Sequence, residues 1–105
     1  MPVPPDYIQK TAKKVLKDRA TLPPSRQAGT RVGLARANQL ARGDDIGLPI
    51  LKRMRSYLSR ARDNYDRAKA KGLNNKTSRA IQAYNLWGGP RALSWVNSQI
   101  NKLES

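Results

Sequence analysis

The chain has 105 residues, no cysteine and no histidine, and its 21 Lys and Arg face 7 Asp and Glu for a formal charge of +14. That length fits one domain with one modest core, and the missing residue types exclude disulfides, thiolate metal sites and the usual imidazole base. Self-repulsion at this charge opposes compaction and is relieved by a polyanion, of which nucleic acid is the commonest, whereas the bland counterpart is a solubilising surface or a face turned to an acidic protein.

Residues 1–5 form a proline-rich, extended lead-in, and residues 6–105 a single helical domain. Asp6 is placed to cap a first helix, whose inner face is Ile8, Ala12, Val15 and Leu16, continued by Leu22. Lys10, Lys13, Lys14 and Lys17 cluster opposite. Pro23-Pro24 breaks the chain, and the stretch to Thr30 is a connection with room for a short helical turn. Thr30 or Gly29 then precedes a small-residue helix from about Arg31 to Arg42. Val32, Ala35, Gln39 and Leu40 are read as its inner side, and Gly43 as its stop.

The spacing predicts one long helix from Leu48 to Lys71. Pro49 suits its first turn and Gly72 its end. Ile50, Met54, Tyr57, Leu58, Ala61, Tyr65 and Ala68 recur at three- and four-residue steps and make an apolar seam. Arg53, Arg60 and Arg67 repeat along one shoulder, and Arg55, Arg62 and Lys69 along the other. Asp44 and Asp45, in the preceding link, complement the positive end of this helix. Beyond Gly72, Asn74, Asn75 or Thr77 starts a fourth helix with Ala80, Ile81, Tyr84 and Trp87. Gly88-Gly89 closes it, and Pro90 opens a fifth with Leu93, Val96, Ile100 and Leu103. No strand-like alternation and no repeat of 20–50 residues is evident. The expected fold is therefore all-α, a compact bundle of four to five helices around one long central helix, about 48–71.

No apolar run approaches the ~20 residues that cross a bilayer, and the lysine-rich start does not resemble a secretion signal. A soluble, intracellular chain without membrane contact is expected. Chemistry is equally sparse. Six of the acids are Asp and the only Glu is at position 104, with no carboxylate cluster at helical ligand spacing. Asp44-Asp45 are adjacent and do not converge on one metal. The expectation is a protein that is not an enzyme and has no catalytic residue, metal or cofactor.

What remains is anion binding. Guanidinium groups grip phosphate bidentately and lysine adds a point charge. The expected contacts are Lys52, Arg53, Arg55, Arg60 and Arg62, extended by Lys13, Lys14 and Lys17 or by Arg36 and Arg42. Within the long helix Asp63 can pair with Arg67, and Asp66 with Arg62 or Lys69, which leaves its first two turns more available. Gly88-Gly89-Pro90-Arg91 is a weaker anion-site candidate; its plainer reading is a tight turn. A helix-turn-helix reading around Gly43 is disfavoured by the missing alanine four residues before it, by Pro49, and by the length of the second helix. Tyr57, Tyr65 and Tyr84 fall on inner faces, so packing is expected of them rather than base stacking. The function expected is binding of nucleic acid, double-stranded DNA foremost, through phosphates with little sequence preference. The alternatives are an adaptor docking on an acidic protein surface, and an RNA binder.

Three runs carry a resemblance: Arg31-Val32-Gly33-Leu34-Ala35-Arg36-Ala37, Lys52-Arg53-Met54-Arg55-Ser56-Tyr57-Leu58, and Leu86-Trp87-Gly88-Gly89 followed by Trp95. Together they are similar to a small helical module of tailed-bacteriophage proteins, free-standing or fused to head-assembly and protease polypeptides. That module pairs an arginine-alanine helix with a Lys/Arg-Arg-Met-x-Ser-aromatic helix and ends in a Leu-Trp-Gly-Gly … Trp signature. The likeness spans roughly residues 31–95. The module follows its aromatic pair with arginine, histidine and an acid, where this chain has Arg60-Ala61-Arg62, so the histidine and acid are missing and the segment is more basic. The resemblance implies a phage origin, hence a host cytoplasm or virion, and turns the protein-docking alternative into a structural or adaptor protein of the virion, or an antagonist of a host protein, with an acidic virion or host protein as partner. It implies no particular activity.

Overall fold

The computed structural model describes residues 2–105, and Met1 of the lead-in lies outside them. Among the described residues the regular structure is helical throughout, with no strand: α1 Asp6–Ala20, a 3-10 turn Pro24–Arg26, α2 Arg31–Arg42, α3 Leu48–Arg60, α4 Arg62–Ala70, α5 Arg79–Leu86 and α6 Ala92–Glu104. The all-α expectation holds, with one more helix than the sequence suggested.

The extra helix arises because Leu48–Lys71 is not continuous. Ala61 leaves helical geometry at φ −92° and ψ 0°. There is no proline or glycine here to cause it. Instead the Leu58 carbonyl, which an unbroken helix would offer to the Arg62 amide, accepts the Tyr84 hydroxyl at 2.8 Å. A side chain inserted into the hydrogen-bond ladder is a recognised cause of a helix break. The ladder resumes with the Tyr65 amide on the Ala61 carbonyl. The apolar seam survives the interruption, with a correction. Leu51, which the seam prediction passed over, is fully buried with Met54 and Leu58, whereas Ile50 and Tyr57 are half-buried on its flank. Leu51, Met54, Leu58, Ala61, Tyr65 and Ala68 follow a three-four-three-four-three spacing.

α3 lies along α6, where Ala92, Val96 and Ile100 are buried against it, and α1 lies along α2. The short helix α5 joins these pairs, packing on α1, α2 and α4. It is therefore α5, rather than a long helix over 48–71, that sits at the centre. Its Ile81, Gln82, Tyr84 and Leu86 are buried. Tyr84 gathers Tyr65 at 4.6 Å and Tyr57 at 6.3 Å between ring centroids, and Tyr57 stacks on Trp87 at 5.0 Å. In a chain without Phe these rings supply bulk, as expected, and each such contact adds ~0.5–1.5 kcal/mol beyond the area it buries.

Other boundaries moved for identifiable reasons. Pro5 occupies the cap position of α1, so Asp6 sits in the first turn, where it complements the helix dipole without a side-chain cap bond. Thr30 caps α2 through the Gly33 amide at 3.1 Å, and Gly43 closes it at φ 72°. Asn74 to Thr77 do not begin α5. They form a tight loop in which Asn74 Oδ1 accepts the Lys76 amide at 2.8 Å, and Ser78 is the cap. The lead-in is tied down, since the Pro2 carbonyl accepts the Ile46 amide at 2.7 Å and the Pro4 carbonyl accepts Gln9 Nε2 at 2.7 Å.

Candidate nucleic-acid interface

All Lys and Arg side chains except Arg19, Arg36 and Arg62 are exposed. Among the described residues only Lys14, Arg42, Lys52 and Arg62 reach a carboxylate. The predicted contacts divide on this basis. Arg53 and Arg60, two helical turns apart on the outer side of α3, are exposed and make no ion pair among the described residues. Arg55 is exposed on the flank toward α6, close enough to Glu104 to help hold its carboxyl below the usual range. The larger cause of that shift is Lys52, which pairs with Glu104 at 2.8 Å. Arg62 is half-buried and bonded through Nε to Asp66 at 3.0 Å, as the helical spacing suggested, while its Nη1 approaches the Pro90 carbonyl at 3.4 Å. Arg67 bonds Asn64 rather than Asp63.

On α1, Lys13 and Lys17 are exposed and Lys14 pairs with Asp18 at 3.2 Å. Arg42 is held by Asp44 at 2.8 Å.

Arg36 is not a surface contact. α2 is rotated from the predicted face, burying Gly33, Arg36, Ala37 and Leu40 and leaving Val32 and Ala35 exposed. The Arg36 guanidinium lies 5.5 Å from the Trp87 ring centroid and its Nη1 donates to Gln39 Oε1 at 2.6 Å. Its Nε has no partner, and burial, then the charge of Arg53, push its pKa down.

In the Gly88-Gly89 turn both glycine amides are already committed. Gly88 at φ 111° and Gly89 at φ 85° are both buried, and their amides bond the Asn85 and Tyr84 carbonyls while the Ala92 amide bonds Gly89. A β-carbon on Gly88 would stand 2.7 Å from that of Ala92. Glycine is required at Gly88 by backbone conformation and by crowding. Arg91 is exposed with its guanidinium 4.0 Å from the Tyr7 ring centroid.

Sequence reasoning missed a polar network beneath the Asn74–Ser78 loop. Asp18 Oδ2 accepts Asn75 Nδ2 at 3.1 Å, and Asn75 Oδ1 accepts Asn85 Nδ2 at 2.8 Å. The buried Gln82 takes the Ala28 amide at 2.7 Å and donates to the Asn75 carbonyl at 3.0 Å. Burial opposes ionisation of Asp18, but the hydrogen bond from Asn75 and the pairing with Lys14 hold its pKa below the ordinary value. Lys76, Arg79, Arg26 and Lys69 line the hollows around this network, and of these only Lys69 stands out in the sequence, as the end of the stripe of Arg55, Arg62 and Lys69. Arg79 is anchored on the Ser25 carbonyl. Two of these bonds join residues 54 and 57 positions apart in sequence, where no spacing rule finds them, and the other two span 7 and 10.

Among the described residues no group of three acidic side chains is arranged to hold a metal, and no helix is long and apolar enough to cross a membrane. No protein-family model matches the chain, and no curated protein or solved structure matches it.

Proposed function

We propose that this chain is a non-enzymatic nucleic-acid-binding protein that holds double-stranded DNA through its phosphates, with little preference for sequence. The observation that carries the reading is the display of exposed cations, most of them without a carboxylate partner, on ordered helices. Arg53 and Arg60 on α3, with Lys13 and Lys17 on α1, are the contacts retained from the sequence. Arg55 stands beside them, and Lys52, Lys14, Arg42 and Arg62 would first have to give up a carboxylate. The likeness to a tailed-phage module adds a bacteriophage setting, in host cytoplasm or virion, to the same proposal.

Titration of a labelled duplex against ionic strength tests it. With ~6 phosphate contacts, affinity falls about 10³-fold between about 50 and 200 mM salt, and Arg53→Ala with Arg60→Ala lowers the slope. Affinity that stays flat with salt removes the reading. Salt-tolerant capture of a single acidic protein without any nucleic-acid shift favours an adaptor instead, and preference for folded RNA over duplex favours an RNA binder.

A further inference from the structure

Three hollows adjoin around the Asn74–Ser78 loop. The first, about 300 Å³, lies between α1, α4 and the start of α6 and is lined by Lys14, Lys69 and Arg91. The second, about 360 Å³, shares Lys14, Asn74 and Asn75 with the first and adds Asp18 and Lys76. The third, about 240 Å³, shares Lys76 and adds Arg26 and Arg79. Lys14, Asn74 and Asn75 line both of the first two hollows and Lys76 both of the last two, so the three lie side by side and are taken together as one groove, with cations contributed by α1, the 3-10 turn, α4, the loop, α5 and the approach to α6.

We propose that this groove is a seat for a phosphodiester strand, one phosphate group following another from Arg91 past Lys69 and Lys76 to Arg26. The inference rests on the nucleic-acid reading above and assigns it a surface that the outer side of α3 does not include. Three features carry it. The cations come in series rather than as one cluster, which suits a repeating anion better than a single small ligand. The remaining lining is rich in polar side chains (Asn74, Asn75, Thr77, Ser78), and the one acid, Asp18, is buried beneath Asn75 and Lys14. Finally, the groove is ordered before any ligand arrives. Lys76 rides on a loop closed by the Asn74 turn and pinned from below by Asn75, and Arg91 is steadied over Tyr7. The backbone that carries Lys76 and the Arg91 guanidinium are thus already held, which lowers the ordering cost of binding. The one tyrosine in the lining, Tyr65, is 8% exposed and packed on Tyr84, so contacts run to the backbone and not to stacked bases.

The test compares full-length wild type, Lys69→Ala/Lys76→Ala and Arg53→Ala/Arg60→Ala, each titrated with a single-stranded oligonucleotide and with a duplex of the same sequence. Thermal melts monitored by circular dichroism check folding. The groove variant is expected to melt like wild type, to bind at least about tenfold more weakly, and to lower the salt slope by about 2. The strand form that loses more affinity identifies the source of the phosphodiester. In a second measurement, bound nucleic acid should protect Lys69 and Lys76 from acetylation, relative to Lys71 and Lys102. If wild type binds nucleic acid but the groove variant matches it while only the α3 variant weakens, or if Lys69 and Lys76 stay unprotected, the groove is not the seat. If wild type binds neither strand form, both the function and the groove assignment fall.

Discussion

The outer side of α3 and the groove beside Asn75 are both positively charged, yet they are built in opposite ways. Arg53 and Arg60 come from one helix, seven residues apart, and stand on an apolar seam of Leu51, Met54 and Leu58. The groove draws its cations from segments distant in sequence and stands on buried polar groups, Asp18, Asn75 and Gln82. An apolar seam fixes a helix, while the outward Arg53 and Arg60 make no ion pair among the described residues. A polar floor fixes the loop above it directly, and is damaged more easily, since each buried group depends on its partner. The two surfaces thus carry like charge on unlike supports, one apolar and one hydrogen-bonded.

The comparison can be broken at several points. The largest effect is expected from Leu58→Ala, which empties a fully buried position under α3 and should destabilise the fold by ~2–5 kcal/mol. Urea denaturation measures it, and a loss well under 1 kcal/mol would mean that the seam is not what holds α3. Asn75→Ala should come next, at about 1–3 kcal/mol, because it leaves the Asn85 amide donor without its acceptor and the buried Asp18 with Lys14 alone. Its distinguishing sign is local: amide exchange across residues 74–78 should rise more than across α3.

Acid titration sharpens the same contrast. The pKa of Asp18 is depressed in the folded state, so its stabilising contribution is complete above its unfolded value of 3.8 and fades as pH falls through the lower folded value. Asp18→Asn should flatten the acid limb of the stability curve in that window, and an unchanged limb would place the titrating support elsewhere. The smallest effect is expected from Arg36→Met, within about 1 kcal/mol of wild type, since the stem still packs on Trp87 and an unpartnered buried Nε is removed. DNA affinity should not change, and a clear loss would return Arg36 to the binding surface.

How far the sequence could be read follows from the range of the forces involved. Within a helix, spacing is local, so the lysine face of α1, the inner residues Ile8, Ala12 and Val15, the Gly43 stop and the Arg62–Asp66 pair were all legible. The rotation of α2 was not. Val32 and Ala35 look more apolar than Arg36, but Gly33 and Ala37 are the residues slim enough to admit Trp87 and Leu86, and Arg36 follows them inward. Ala61 carries no breaking signal either, because the break depends on the Tyr84 hydroxyl, 26 residues along the chain from Leu58.

The sequence by itself determined that the chain is helical, that its helices bury aliphatic residues together with tyrosine, and that its surface is strongly cationic, since composition and short-range periodicity fix those properties. Only the tertiary structure decided which cations converge. Placing Lys14, Lys69, Lys76, Arg79 and Arg91 along one groove takes the docking of α5 against α1 and α4 and the closing of a hydrogen-bonded floor between residues more than fifty positions apart. Such contacts form only when the whole core packs, and no stretch of the chain encodes them alone.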